Sequence, residues 1–159
     1  MASKQLGTYL NDHLAGSVMA LELLKRLADS AEGAEGGDTL AALHAEIQAE
    51  NNLLRTIIER VNAHESVPRK TAAWFAEKAA ELKLRLDDPG GGDFYRLEAF
   101  EVLAVGIHGK RGLWIVLREL APGMPEIRIA DYADLIEQAD AQRKVVEEFR
   151  LKAALAGLT

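Results

Sequence analysis

Hydrophobic residues in this chain recur at helical steps rather than in alternation. Leu6, Leu10, Leu14, Leu21, Leu24 and Leu27 follow one another at intervals of three, four and seven. Those intervals place side chains on one stripe of a helix of about 3.6 residues per turn, and predict a first helix over about 4–28 with Ser3 as its N-cap. The segment SAEGAEGGD at 30–38 interrupts the stripe with glycines and small residues, as a surface loop suited to an antiparallel return. A second stripe, Leu40, Leu43, Ile47, Leu54, Ile57 or Ile58, and Val61, predicts a helix over about 39–62 capped by Asp38. One inward step of that stripe falls on Glu50 or Asn51.

Pro68 suits the first turn of a short helix over about 68–85, whose apolar side would be Trp74, Phe75, Leu82 and Leu84. It is expected to lie across the bundle as a connector. DDPGGGD at 87–93 then predicts a mobile loop, because proline cannot continue a helix and glycine has the most backbone freedom to lose. Asp93 is the expected N-cap of a long, very apolar helix over about 93–120 that stops at Pro122 and Gly123. Its run LWIVL, Leu113 to Leu117, cannot fit on one face, and predicts cover on most sides by Trp74 and Phe75 or by a homodimer partner. Gly106, Gly109 and Gly112 lie near one line along it, at about 1 kcal/mol each relative to Ala. Close approach of another backbone or ring, a break or kink, or one wall of an apolar pocket would each account for them. Asp131 caps a last helix over about 131–157, with Leu135, Ala139, Val146, Phe149, Ala153 and Leu155 or Ala156 inward.

These elements describe an all-α fold: a four-helix bundle with a short inserted helix. The length of 159 residues supports one core and one domain. Charge narrows the partners. A net charge of -6 disfavours nucleic acid and anionic membrane surfaces, both of which select basic faces. No apolar run approaches the ~20 residues of a membrane span, and no secretory signal is evident, so a cytoplasmic protein is expected. Without cysteine, disulfides and thiolate metal sites are excluded.

Chemistry could reside only in polar residues on apolar stripes. His13, Glu50, Glu101, Lys110 and Gln142 occupy such positions, with His108 one heptad after Glu101. One reading is a structural network in which Lys110 neutralises Glu50, Glu101 or Glu77, with His13 and Gln142 completing the set, because buried charges must be paired. The alternative is an iron or manganese site built from His13, Glu50, Glu101 and His108. A di-metal bundle site uses Glu-x-x-His on two helices, and that pattern occurs nowhere in the chain. GIHGKRG, Gly106 to Gly112, departs from a phosphate loop in its glycine spacing and in Arg111 where Ser or Thr belongs. No nucleophile stands with a base and an acid, which argues against an enzyme.

Four segments carry a resemblance: YLNDHLAGSVMALELLKRL at Tyr9–Leu27, AAWFAEK at Ala72–Lys78, LEAFEVLAVGIHGKRGLW at Leu97–Trp114 and EFRLKAALAGL at Glu148–Leu158. With them the chain resembles an uncharacterised family of small bacterial helical proteins, similar in turn to the ferritin-like four-helix bundles. The resemblance implies the fold and no activity. It departs from iron-binding members at the missing Glu-x-x-His, so their oxidase or storage chemistry is not implied. The expectation is therefore a bundle without a di-iron centre that acts through a protein partner or as a homodimer; the other readings are a metalloprotein and a small-molecule-binding bundle. No specific function follows from the sequence.

Overall fold

The computed structural model describes residues 4–63, 73, 77–78, 80–81 and 92–159. They are helical throughout apart from connections, with no strand among them. The long helices are α1 (Lys4–Ser30), α2 (Gly37–Arg60), α3 (Gly92–Leu120) and α4 (Tyr132–Leu158). Two single turns of 3₁₀ helix, Ala121–Gly123 and Pro125–Ile127, join α3 to α4. Ala73, Glu77, Lys78, Ala80 and Glu81 are helical as well. The expected short helix as a whole, its Trp74 and Phe75 cover, the Ser3 cap and the mobile loop up to Gly91 lie outside the described residues. Among the described residues no helix is long and apolar enough to cross a membrane.

Two clusters of buried side chains run end to end through the bundle and reveal the helix directions. Leu6, Leu10 and Leu14 of α1 join Leu54 and Ile57 of α2, Leu113 and Leu117 of α3, and Tyr132 and Ile136 of α4 in one cluster. The other holds Leu21 to Leu27 of α1, Leu40 to Ile47 of α2, Leu97 to Ile107 of α3, and Ala139 to Ala153 of α4. Helix α1 therefore runs antiparallel to α2, α3 runs parallel to α2, and α4 returns parallel to α1. Since α2 stops at the end of the bundle opposite the start of α3, their connection has to join opposite ends, whereas α1–α2 and α3–α4 are simple hairpins.

Local chemistry explains the hairpins. Gly36 adopts φ 86, the left-handed conformation that glycine tolerates without penalty. Beside it, a Cβ on Gly37 would stand 2.3 Å from the Ala31 carbonyl oxygen, so the loop closes only on a residue without a side chain. Helix α2 starts at Gly37 with Gly36 as its cap, and Asp38 sits in the first turn instead of capping it. Asp93 is likewise inside the first turn of α3, which starts at Gly92. Asp131 does cap α4, accepting hydrogen bonds from the Ala133 and Asp134 amides at 3.0 and 3.1 Å. The α3–α4 connection is held by Tyr132, whose hydroxyl donates to the Ile127 carbonyl at 2.6 Å, and by Arg60 of α2, which donates to the Glu126 carbonyl at 2.8 Å.

Three packing expectations concern α3 and α4. In the LWIVL run Leu113, Trp114 and Leu117 are buried, Ile115 is half-buried and Val116 is exposed in the single chain, while the cover expected from Trp74 and Phe75 lies outside the described residues. Contrary to expectation neither Leu155 nor Ala156 lies inward: both are exposed, and the inward stripe of α4 is finished by Ala153. Among the described residues nothing stands within 4 Å of a Cβ added at Gly109 or Gly112, and α3 runs unbroken past both, which leaves the pocket wall of the three accounts of these glycines.

Candidate functional site

The polar residues that enter the core do so in heptad register with leucines and isoleucines. On α2 the inward row is Leu43, Ile47, Glu50, Leu54 and Ile57, so Glu50 takes a core position. On α3 the row is Leu103, Ile107, Lys110, Leu113 or Trp114, and Leu117; on α4 it is Ala139, Gln142 and Val146. Glu50 and Gln142 are buried, and the Lys110 side chain keeps only 13% of its exposure.

These three side chains form a closed ring. Lys110 Nζ forms an ion pair with Glu50 Oε2 and donates to Gln142 Oε1 at 2.5 Å. Gln142 Nε2 in turn donates to Glu50 Oε1 at 2.7 Å and to Glu46 Oε2 at 3.2 Å. The amide orientation is dictated by its neighbours, because only the carbonyl end can face an ammonium and only the NH₂ end can face carboxylates. Burial pushes the Lys110 amine below the usual lysine range, and the Glu50 and Glu46 carboxylates oppose that shift.

A second polar chain begins at the next residue of α2. Asn51 Nδ2 donates to Ser17 Oγ of α1 at 2.9 Å, and Arg55 Nε donates to Asn51 Oδ1 at 3.1 Å. His13 is half-buried, with its ring edge-on to Tyr9 at 4.7 Å. Desolvation lowers its pKa and the nearby Asp12 carboxylate partly offsets this. The Tyr9 hydroxyl is raised by burial.

Between α1, α2 and α3, where the two core clusters meet, lies a cavity of about 530 Å³. It exists because the helices present small residues at this level: Gly16, Ser17 and Ala20 from α1, and Gly106 and Gly109 from α3. No atom stands within 4 Å of an added Cβ at Gly16 or at Gly109, so these glycines border open space. Ile47, Leu54, Leu103, Ile107, Leu113 and Trp114 give it apolar walls, and Lys110, Glu50 and Asn51 its polar corner. Tyr9, Asp12 and His13 complete the α1 side. The size and the mixture of an apolar wall with a few convergent polar groups are those of a small-molecule site.

The remaining expected residues are elsewhere. Glu101 is exposed and pairs with Arg150 of α4 at 3.3 Å, His108 is exposed, and Glu77 is exposed. The reason is angular. Glu101 and His108 share a row with each other, but that row stands two residues, about 200°, from the row of Leu103 and Lys110, on the opposite face of α3. The proposed ligand set of His13, Glu50, Glu101 and His108 therefore does not converge, and among the described residues no group of three or more His, Asp or Glu side chains could hold a metal ion. The partners of Lys110 are Glu50 and Gln142, not Glu101 or Glu77. Sequence reasoning missed Glu46 and the Ser17–Asn51–Arg55 chain. Asn51 was visible as the neighbour of Glu50 at the gap in the α2 stripe; nothing in the sequence alone joins it to Ser17.

No family model, curated protein or solved structure matches the chain.

Proposed function

We propose that this protein is a small-molecule-binding bundle of the ferritin-like type, without a di-iron centre. The observation that carries the binding reading is the cavity of about 530 Å³ that passes between three helices to reach the buried charge ring. The cavity is partly open to solvent, so a small molecule has a way in between the helices. An opening of this size, kept free by glycines at helical positions that each cost about 1 kcal/mol relative to Ala, has a use that offsets that cost. The ferritin-like assignment is supported by the join between opposite ends of α2 and α3, the single long crossover typical of that topology, and the missing Glu-x-x-His supports the lack of a di-iron centre.

The test is saturable uptake of a neutral apolar dye. Nile red should bind the native protein near one per chain with a blue-shifted emission, and Gly109→Leu, which fills the cavity from α3, should abolish that uptake while the far-ultraviolet circular dichroism is unchanged. Uptake that persists in the folded Gly109→Leu variant, or no saturable uptake by the native protein, refutes the reading.

One specific observation favours a second reading, homodimerisation. Leu151, Leu155 and Leu158 form a stripe along the outer face of α4 and are 49%, 70% and 63% exposed. Sedimentation equilibrium tests it: a dimer that Leu155→Glu converts to monomer supports the reading, and a monomeric native protein ends it.

A further inference from the structure

Resting on the cavity reading above, the geometry points to the chemical class of the occupant: we propose that the cavity takes an uncharged, largely apolar molecule carrying one hydrogen-bond acceptor of the carbonyl type, seated on the Lys110 ammonium. An ammonium has three N–H donors. Lys110 directs two contacts to Glu50 and Gln142, and no third partner is present among the described residues. Gln142 is engaged with Glu46 and Glu50, and Asn51 with Ser17 and Arg55; among the described residues the buried indole N–H of Trp114, which lines the same cavity, has no acceptor. The remaining capacity at the corner is therefore a donor, and it calls for an acceptor.

Charge then selects among acceptors. Glu50 already neutralises the Lys110 ammonium, and the exposed Glu46 carboxylate stands nearby on Gln142. A carboxylate or phosphate on the ligand would add a further negative charge in a desolvated corner, where unpaired charge is strongly disfavoured. An ammonium on the ligand would set donor against donor at Lys110. A ketone, ester or amide oxygen meets neither penalty and accepts a charge-assisted hydrogen bond. The hydrocarbon remainder lies against Leu103, Ile107, Leu113 and Leu54, and the open space at Gly109 admits a chain or ring without side-chain displacement.

Displacement of Nile red by four probes of matched size tests this on the native full-length chain: methyl octyl ketone, decane, decanoate and decylamine. The ketone should displace the dye about tenfold more effectively than decane, as expected for one hydrogen bond to a charged donor, and more effectively than either ion. In a Lys110→Met, Glu50→Gln double variant, which removes both charges together, the ketone should fall to the level of decane while decane itself is little changed. Equal displacement by ketone and decane, or tighter binding of decanoate or decylamine, overturns the assignment of the ligand while leaving the cavity reading intact. Failure of all four probes and of Nile red overturns the cavity reading itself. If the double variant does not fold, Gln142→Leu serves in its place: it frees a second Lys110 donor and should preserve the preference for ketone over decane, and loss of that preference overturns the proposal.

Discussion

Lys110 on α3 donates to the side-chain carbonyl of Gln142 on α4 at 2.5 Å, while the amide nitrogen of the same glutamine donates to Glu50 on α2. A neutral residue thus links a cation to its anion and closes a ring across three helices. Its energetic consequence is asymmetric. Lys110→Met leaves the Glu50 carboxylate buried without a counter-charge and should cost about 3–5 kcal/mol in urea unfolding, whereas the Lys110→Met, Glu50→Leu pair should return to within about 1 kcal/mol of the native chain. A loss below about half a kcal/mol for Lys110→Met would mean that the pair contributes no more than an exposed one.

Glycine-to-alanine exchange should change sign between two positions. At Gly37 the new Cβ would stand 2.3 Å from the Ala31 carbonyl oxygen, and backbone must move, so Gly37→Ala should lose about 2 kcal/mol. At Gly109 the space is open and the residue is inside a helix, so Gly109→Ala should gain up to about 1 kcal/mol. Calorimetric melting temperatures of the two variants should lie on opposite sides of the native value.

His13 should make part of the stability dependent on pH. Its folded pKa is lowered from 6.5, chiefly by burial, so between that lowered value and 6.5 the unfolded chain binds more protons than the folded one. Stability therefore rises with pH through that window, and the contribution is lost as pH falls through it toward the lowered value. His13→Phe should flatten the slope of the unfolding free energy in this range; an unchanged slope would assign it to other groups.

Removing the α4 cap should be local and modest. Asp131→Ala leaves the Ala133 and Asp134 amides without their acceptor and should cost about 1 kcal/mol, and Asp131→Asn should recover most of it. Equal losses in both variants would show that the cap's hydrogen bonds are not the source.

Much of the scaffold was legible because burial and helical geometry are both periodic. Leucine spacing located α1 and α2, Pro122 and Gly123 marked the end of α3, and the gap in the α2 stripe singled out Glu50, which sits at a core position between Ile47 and Leu54. Gln142 was visible in the same way on α4. Glu101 was misplaced because seven-residue spacing to His108 describes a row without saying which way the row faces; the Glu101–Arg150 pair lies on the outer side of α3. The caps of α2 and α3 were misread for a related reason. Asp38 and Asp93 favour a helix start, but the glycine before each admits the backbone turn one residue earlier.

By itself, the sequence determined the helices, their inward stripes and the presence of ionisable residues on them, since these depend on residues three and four positions apart in one chain segment. The tertiary structure alone decided the partners and the void. Whether Lys110 meets Glu50, Glu101 or Glu77 depends on how α2, α3 and α4 are rotated against one another, and packing of all their stripes at once sets that rotation. The cavity likewise arises from coincidence in space: Gly16 on α1 faces the level of Gly106 and Gly109 on α3, so small residues distant in sequence leave one shared opening.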